Sequence, residues 1–103
     1  MVREKWTIDD TYKKEYINKL SPKLSAIRTV LDVSQDELAH IIGITRQTYN
    51  AIETGRKEMS WSTYLAIIAI LFANDQTRRI LKEFSLYPKD FVQRIAGNNI
   101  DSL

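Results

Sequence analysis

The side chains best equipped to do chemistry in this sequence sit close together: Arg46, Gln47, Asn50 and Thr54, with Gln35 eleven residues before Arg46. None of them is a nucleophile-base pair. Carboxamides and a guanidinium present donors and acceptors in pairs, which is the chemistry that recognises base edges in a DNA major groove. The residue types that would support catalysis or metal binding are thin by comparison. His40 is the single histidine and stands with no second histidine or acidic cluster at metal spacing, so it reads as a solvent-facing residue. Asp32, Asp36 and Glu37 are close in sequence, but helix capping accounts for two of them. The chain has no cysteine, which excludes disulfides, thiolate metal sites and cysteine nucleophiles. Its three glycines punctuate helices and turns and form no phosphate loop. We expect no enzyme activity, no metal and no cofactor.

The elements that must position these groups are two short helices. Ser34 and Glu37 have the spacing of a capping box, so a helix starts at Gln35. Leu38, Ala39 and Ile42 recur at helical spacing, and Gly43 ends that helix. Thr45 caps a second helix, from 46 to 54, and Gly55 terminates it. At about 100° per residue, Tyr49 and Ile52 fall on one side of this second helix, while Gln47, Asn50, Ala51 and Thr54 gather on the other. Small Ala39 suits the close crossing that so short a turn demands.

With these residues in place, the stretch resembles the Xre family of helix-turn-helix DNA-binding proteins, the phage-repressor and Cro type. The residues that carry the likeness are Ser34, Gln35, Leu38, Ala39, Gly43, Ile52, Glu53 and Gly55, within a match from about 24 to 71. Tyr49 departs from it, since the family carries an aliphatic residue there, and the segment after Gly55 lacks a proline common in the family. The resemblance implies an all-α, lambda-repressor-like bundle of five to seven short helices that reads the major groove of double-stranded DNA as a transcriptional regulator. It implies Arg46, Gln47 and Asn50 as base readers, with Ala51 and Thr54 shaping the contact. Gln35, Thr45, Arg56 and Lys57 would meet phosphates, and Gln35 would also support a base-reading neighbour. Arg28, seven residues before Gln35, stands where the family places an arginine that pairs with the glutamate of Glu-x-Gly, here Glu53. For Gln35 and Thr45 a plainly structural role, at a helix start or as a cap, fits the residues equally well.

Around this unit the rest of the chain reads as further helices. An apolar stripe of Ile8, Tyr12, Tyr16, Ile17 and Leu20 follows a charged, frayed end and predicts a helix over 10–20, packed on its own domain or serving as a partner-facing arm. Ser21-Pro22 ends it and opens a helix over 22–31, with Leu24, Ile27 and Leu31 inward. Ser60 caps a helix over 61–73 that is apolar all round from Tyr64 to Phe72. Nine residues are too few to span a bilayer, so one side packs on the preceding helices and the other is left for the C-terminal segment or a second subunit. Asn74-Asp75 break the pattern. A helix over 76–84 follows, with Ile80, Leu81 and Phe84 apolar, and then one over 88–96 with Phe91, Val92 and Ile95 inward. Residues 98–103 read as a disordered tail.

At 103 residues the chain fits one small domain: an N-terminal helix over 1–20, a helix-turn-helix core over 21–74, and C-terminal helices over 75–97. The charged N-terminus lacks the apolar run of a signal peptide, so a cytoplasmic protein is expected. Net charge is +2, but residues 32–60 hold three basic and five acidic residues, so the recognition unit is not itself basic. Attraction to phosphate must come from Arg46, Arg56 and Lys57, aided by Lys19 or Lys23, with the acids turned away. A single reading helix covers few base pairs, which argues for a homodimer on a near-palindromic operator. An alternative keeps the fold and makes it an antitoxin or other protein-interaction module; the neutral-to-acidic recognition unit keeps it open, and polar Arg46, Gln47 and Asn50 on one face argue the other way.

Overall fold

A computed structural model describes residues 1–97, and the expected tail at 98–103 lies outside the described residues. Among the described residues there are seven α-helices and no strand: α1 Asp10–Leu20, α2 Leu24–Leu31, α3 Gln35–Ile42, α4 Arg46–Glu53, α5 Trp61–Ala73, α6 Asp75–Glu83 and α7 Lys89–Ala96. None of these helices is long and apolar enough to cross a membrane.

The helix starts follow the caps read from sequence. Ser34 accepts from the Glu37 amide at 3.0 Å and Glu37 accepts from the Ser34 amide at 2.9 Å, completing the capping box. That backbone contact holds the Glu37 carboxyl below the usual carboxylate range. Thr45 and Ser60 cap α4 and α5 by accepting from the amides of Thr48 and Thr63. Asn74 does not merely interrupt the pattern; its side chain accepts from the amides of Gln76 and Thr77 and so caps α6. The turns that follow α3 and α4 use left-handed backbone: Gly43 has φ 93° and Gly55 has φ 81°. A side chain at either position would be strained, which is why both turns carry glycine.

Between α1 and α2 the chain makes a short 3-10 turn over Ser21–Lys23, so the second helix begins at Leu24 and not at Pro22. Ser21 Oγ donates back to the Ile17 carbonyl at 2.9 Å and is therefore committed to the end of α1. The N-terminal segment is more ordered than its charge suggests. Glu4–Trp6 forms a 3-10 turn beside α7, and Arg94 Nη1 donates to the Thr7 carbonyl at 3.1 Å.

One core joins the helices. Ile17 and Leu20 of α1 pack with Leu24 and Ile27 of α2, Leu38 and Ala39 of α3, and Tyr49 and Ile52 of α4. Tyr64, Ile67, Ile68 and Leu71 of α5 and Leu81 of α6 continue it, with Met59 before α5 and Leu86 and Tyr87 after α6. Burying so many aliphatic side chains, each of which stabilises by about 1.5–3 kcal/mol, is what holds short helices that would be marginal alone. Helix α1 therefore packs on its own domain. The buried Tyr64 hydroxyl donates to the Leu86 carbonyl at 2.6 Å, tying the segment after α6 to α5. Thr77 is fully buried and its hydroxyl donates to the Leu71 carbonyl at the end of α5.

The apolar character of α5 is shared out on two sides. One face meets the core, and the C-terminal segment covers part of the other through Tyr87, whose ring meets Phe72 edge-on at 5.5 Å. A groove of about 560 Å³ remains along Leu65, Ile68, Ala69, Phe72 and Val92. The apolar Phe84 lies outside the core, and the inward assignment of Ile95 fails. Phe84 is 52% exposed, with Lys23 Nζ 4.9 Å from its ring centroid, because α6 turns Ile80 and Leu81 inward and ends immediately before it. Ile95 is 45% exposed: α7 meets the core through its first turns, where Phe91 meets Trp61 at 6.5 Å and Val92 borders the core, and beyond them Arg94 reaches the N-terminal segment at the Thr7 carbonyl.

Candidate nucleic-acid interface

Helices α3 and α4 are joined by the two residues Ile44 and Thr45 after Gly43, and they cross over buried Ala39. Ala39 accepts the amides of Gly43 and Ile44 at 2.9 and 3.0 Å, which closes the turn. Tyr49 and Ile52 anchor α4 to the core, at 0% and 2% exposure. This anchoring turns the opposite side of α4 outward: Arg46, Gln47 and Thr54 are exposed, and Asn50 and Ala51 are half-buried. Arg46, Gln47, Asn50, Ala51 and Arg56 line a single concavity of about 440 Å³. After α4 the chain folds back on Gly55, with the Arg56 and Lys57 amides donating to the Ala51 carbonyl at 2.8 and 3.0 Å. That return places both basic residues at the end of the helix.

Beneath this face lies the pair expected from sequence. Arg28 Nε donates to Glu53 Oε2 at 2.9 Å and Nη2 to Glu53 Oε1 at 3.1 Å, a bidentate contact joining α2 to α4. Arg28 Nη1 also donates to the Val33 carbonyl at 2.9 Å, bracing the loop before α3. The side chains are 18% and 6% exposed. Burial alone would raise the Glu53 pKa, but the hydrogen bonds from Arg28 and Gln35 and the Arg28 charge outweigh it and hold the carboxyl at about 2. The Arg28 guanidinium is raised in turn, chiefly by its hydrogen bond to Glu53. Tyr49, the departure from the family pattern, lies beside this pair. Its pKa is raised, first by burial and then by the Glu53 charge, yet the hydroxyl has no hydrogen-bond partner of good geometry.

The predicted phosphate group is only partly free. Thr45 Oγ1 accepts from the Thr48 amide at 3.1 Å and donates to Thr48 Oγ1 at 3.0 Å, so it is a cap first. Gln35 is turned inward: its Nε2 donates to Glu53 Oε1 at 3.1 Å and its Oε1 accepts from Asn50 Nδ2 at 3.2 Å. Arg56 Nη2 donates to Asn50 Oδ1 at 2.8 Å and Nε to Thr54 Oγ1 at 3.1 Å. Lys57 is exposed. The assisting lysines are engaged locally, Lys19 with Glu15 at 3.4 Å and Lys23 over the Phe84 ring.

One expectation is overturned. The acids are not all turned away, because Asp36 Oδ1 lies 3.8 Å from Arg46 Nε, with both side chains largely exposed. Asp36 stands in the first turn of α3, where the helix dipole favours it. That the same carboxylate also faces the leading residue of α4 follows from the crossing of the two helices, which spacing along one helix does not reveal. His40 is exposed on α3, and among the described residues no group of three or more His, Cys, Asp or Glu could hold a metal.

Compared with known proteins, residues 24–71 match the family model described as helix-turn-helix. No curated protein and no solved structure matches the chain. The matched segment runs from the start of α2 to Leu71 in α5 and contains the capping box, both terminating glycines and the Arg28–Glu53 pair. Residues 24–71 of this chain are thus a helix-turn-helix DNA-binding domain of the Xre, lambda-repressor-like type.

Proposed function

We propose that the protein is a sequence-specific regulator of transcription that lays α4 in the major groove of double-stranded DNA. The observation that carries this reading is the concavity lined by Arg46, Gln47, Asn50, Ala51 and Arg56, where polar side chains stand on a helix anchored from behind by Tyr49 and Ile52. Arg46, Gln47 and Asn50 read base edges, Ala51 and Thr54 set how closely the helix approaches, and Arg56, Lys57 and the Thr45 and Gln35 helix starts meet phosphates. Asp36 opposite Arg46 lowers attraction to phosphate in general and leaves more of the selectivity to base contacts. Such a regulator works in the cytoplasm, on the chromosome of its cell.

A helix of eight residues contacts only a few base pairs, so the same reading makes the working form a homodimer on a near-palindrome, with half-sites about 34–36 Å apart. The apolar groove along α5 and α7 supports a contact surface away from α4. Two variants test the docking. Gln47→Ala should relax preference at one base position and cost about 1–3 kcal/mol, whereas Lys57→Ala should weaken all duplexes alike and flatten the salt dependence. Unchanged binding to every duplex by Gln47→Ala would rule this docking out. Sedimentation on the free protein showing only monomer at roughly tens of micromolar would rule out a stable free dimer.

A further inference from the structure

The recognition face carries a hydrogen-bond chain with a fixed charge at each end. Arg56 Nη2 donates to Asn50 Oδ1 at 2.8 Å, Asn50 Nδ2 donates to Gln35 Oε1 at 3.2 Å, and Gln35 Nε2 donates to Glu53 Oε1 at 3.1 Å. Amide oxygen and nitrogen are assigned from such networks, and here the two ends leave no choice. A guanidinium can only donate and an ionised carboxylate can only accept. Reversing Gln35 would set its oxygen against Glu53, and reversing Asn50 would set its NH2 against Arg56. Glu53 is itself pinned by the bidentate Arg28, so the acceptor end of the chain does not rotate.

What Asn50 has left to offer follows by subtraction. A carboxamide has two N–H donors and two oxygen lone pairs, and one of each is used within the protein. One donor and one acceptor remain on a residue lining the concavity of α4. In the major groove only adenine sets an acceptor, N7, beside a donor, the N6 amino group; guanine offers two acceptors, cytosine a donor, and thymine an acceptor and a methyl group. Resting on the DNA-reading role proposed above, we infer that Asn50 reads one adenine per half-site, with Gln35 and Arg56 as the positioning residues that hold its amide in the orientation adenine requires. Arg56 spends one N–H on Asn50 and one on Thr54 Oγ1, leaving three for a phosphate, so its positioning and phosphate roles are compatible.

The test is selection from random duplexes by the wild-type protein and by the Asn50→Ala, Arg56→Met and Lys57→Met variants, with thermal unfolding of each to establish that it folds. Wild type should return a motif containing an adenine whose preference disappears in Asn50→Ala while the other positions persist. Arg56→Met should relax that same position, and Lys57→Met should relax none. In a duplex carrying 7-deazaadenine there, which lacks only the N7 acceptor, wild-type binding should fall about tenfold or more and Asn50→Ala binding by less than about twofold. A motif that Asn50→Ala leaves unchanged, an Asn50-dependent position occupied by another base, or an equal deaza effect on both proteins would overturn the adenine assignment while leaving DNA reading intact. Failure of wild type to return any motif would overturn both.

Discussion

Neutralising Glu53 should destabilise the fold at neutral pH and do so less in acid. The Glu53 side chain is 6% exposed and accepts from two Arg28 nitrogens at 2.9 and 3.1 Å, while the third braces Val33. Removing one member of such a pair strands the other in a poorly hydrated site, at about 3–5 kcal/mol. Titration gives an independent figure. A carboxyl at about 2 in the folded protein against 4.5 for the free group corresponds to about 3 kcal/mol. Because the folded value is the lower one, this stabilisation is complete above about pH 4.5 and disappears as the pH falls towards 2; about 2 kcal/mol of it is gone by pH 3. Against a total of about 5–15 kcal/mol for a small domain, either figure is large. The assay is urea unfolding of wild type and Glu53→Gln at pH 6 and pH 3. The stability gap should be about 3 kcal/mol or more at pH 6 and smaller by about 2 kcal/mol at pH 3. A gap that is the same at both pH values, or absent at pH 6, would refute the reasoning.

The two buried tyrosines should respond differently to loss of the hydroxyl. Tyr64→Phe leaves the Leu86 carbonyl without its 2.6 Å donor and should cost about 1–3 kcal/mol by urea unfolding, whereas Tyr49→Phe removes a buried hydroxyl that has no partner and should stay within about 1 kcal/mol of wild type or be more stable. Ser34→Ala should lose about 1 kcal/mol through the capping box at the start of α3. Asp36→Asn removes the carboxylate 3.8 Å from Arg46, and should strengthen binding to all duplexes and steepen its salt dependence in a titration at several ionic strengths.

Much of the domain was legible because its signals are local. Ser34 with Glu37, Gly43, Thr45 and Gly55 each act within a few residues, and they place the limits of α3 and α4 to within a residue. The Arg28–Glu53 pair is not local, and came from the family resemblance together with the side chains being where it requires them. What escaped was whatever depends on the neighbour a helix face meets. Periodicity puts Ile95 and Phe84 on apolar sides, but α7 meets the core with its first turns and α6 stops before Phe84. The packing of Met59 in the core, between two polar stretches, and of Thr77 under Leu71 has no periodic signal at all. In the candidate interface, residue types identified the polar face of α4, yet that Gln35 is tied to Asn50 and Glu53, and Arg46 close to Asp36, depends on the crossing of two helices.

The most direct test of the central claim is binding of the purified protein to a pool of random duplex DNA at two salt concentrations, with sequencing of what is retained. A near-palindromic motif that survives the higher salt is the predicted result. Weak binding that salt erases and that yields no motif would contradict it.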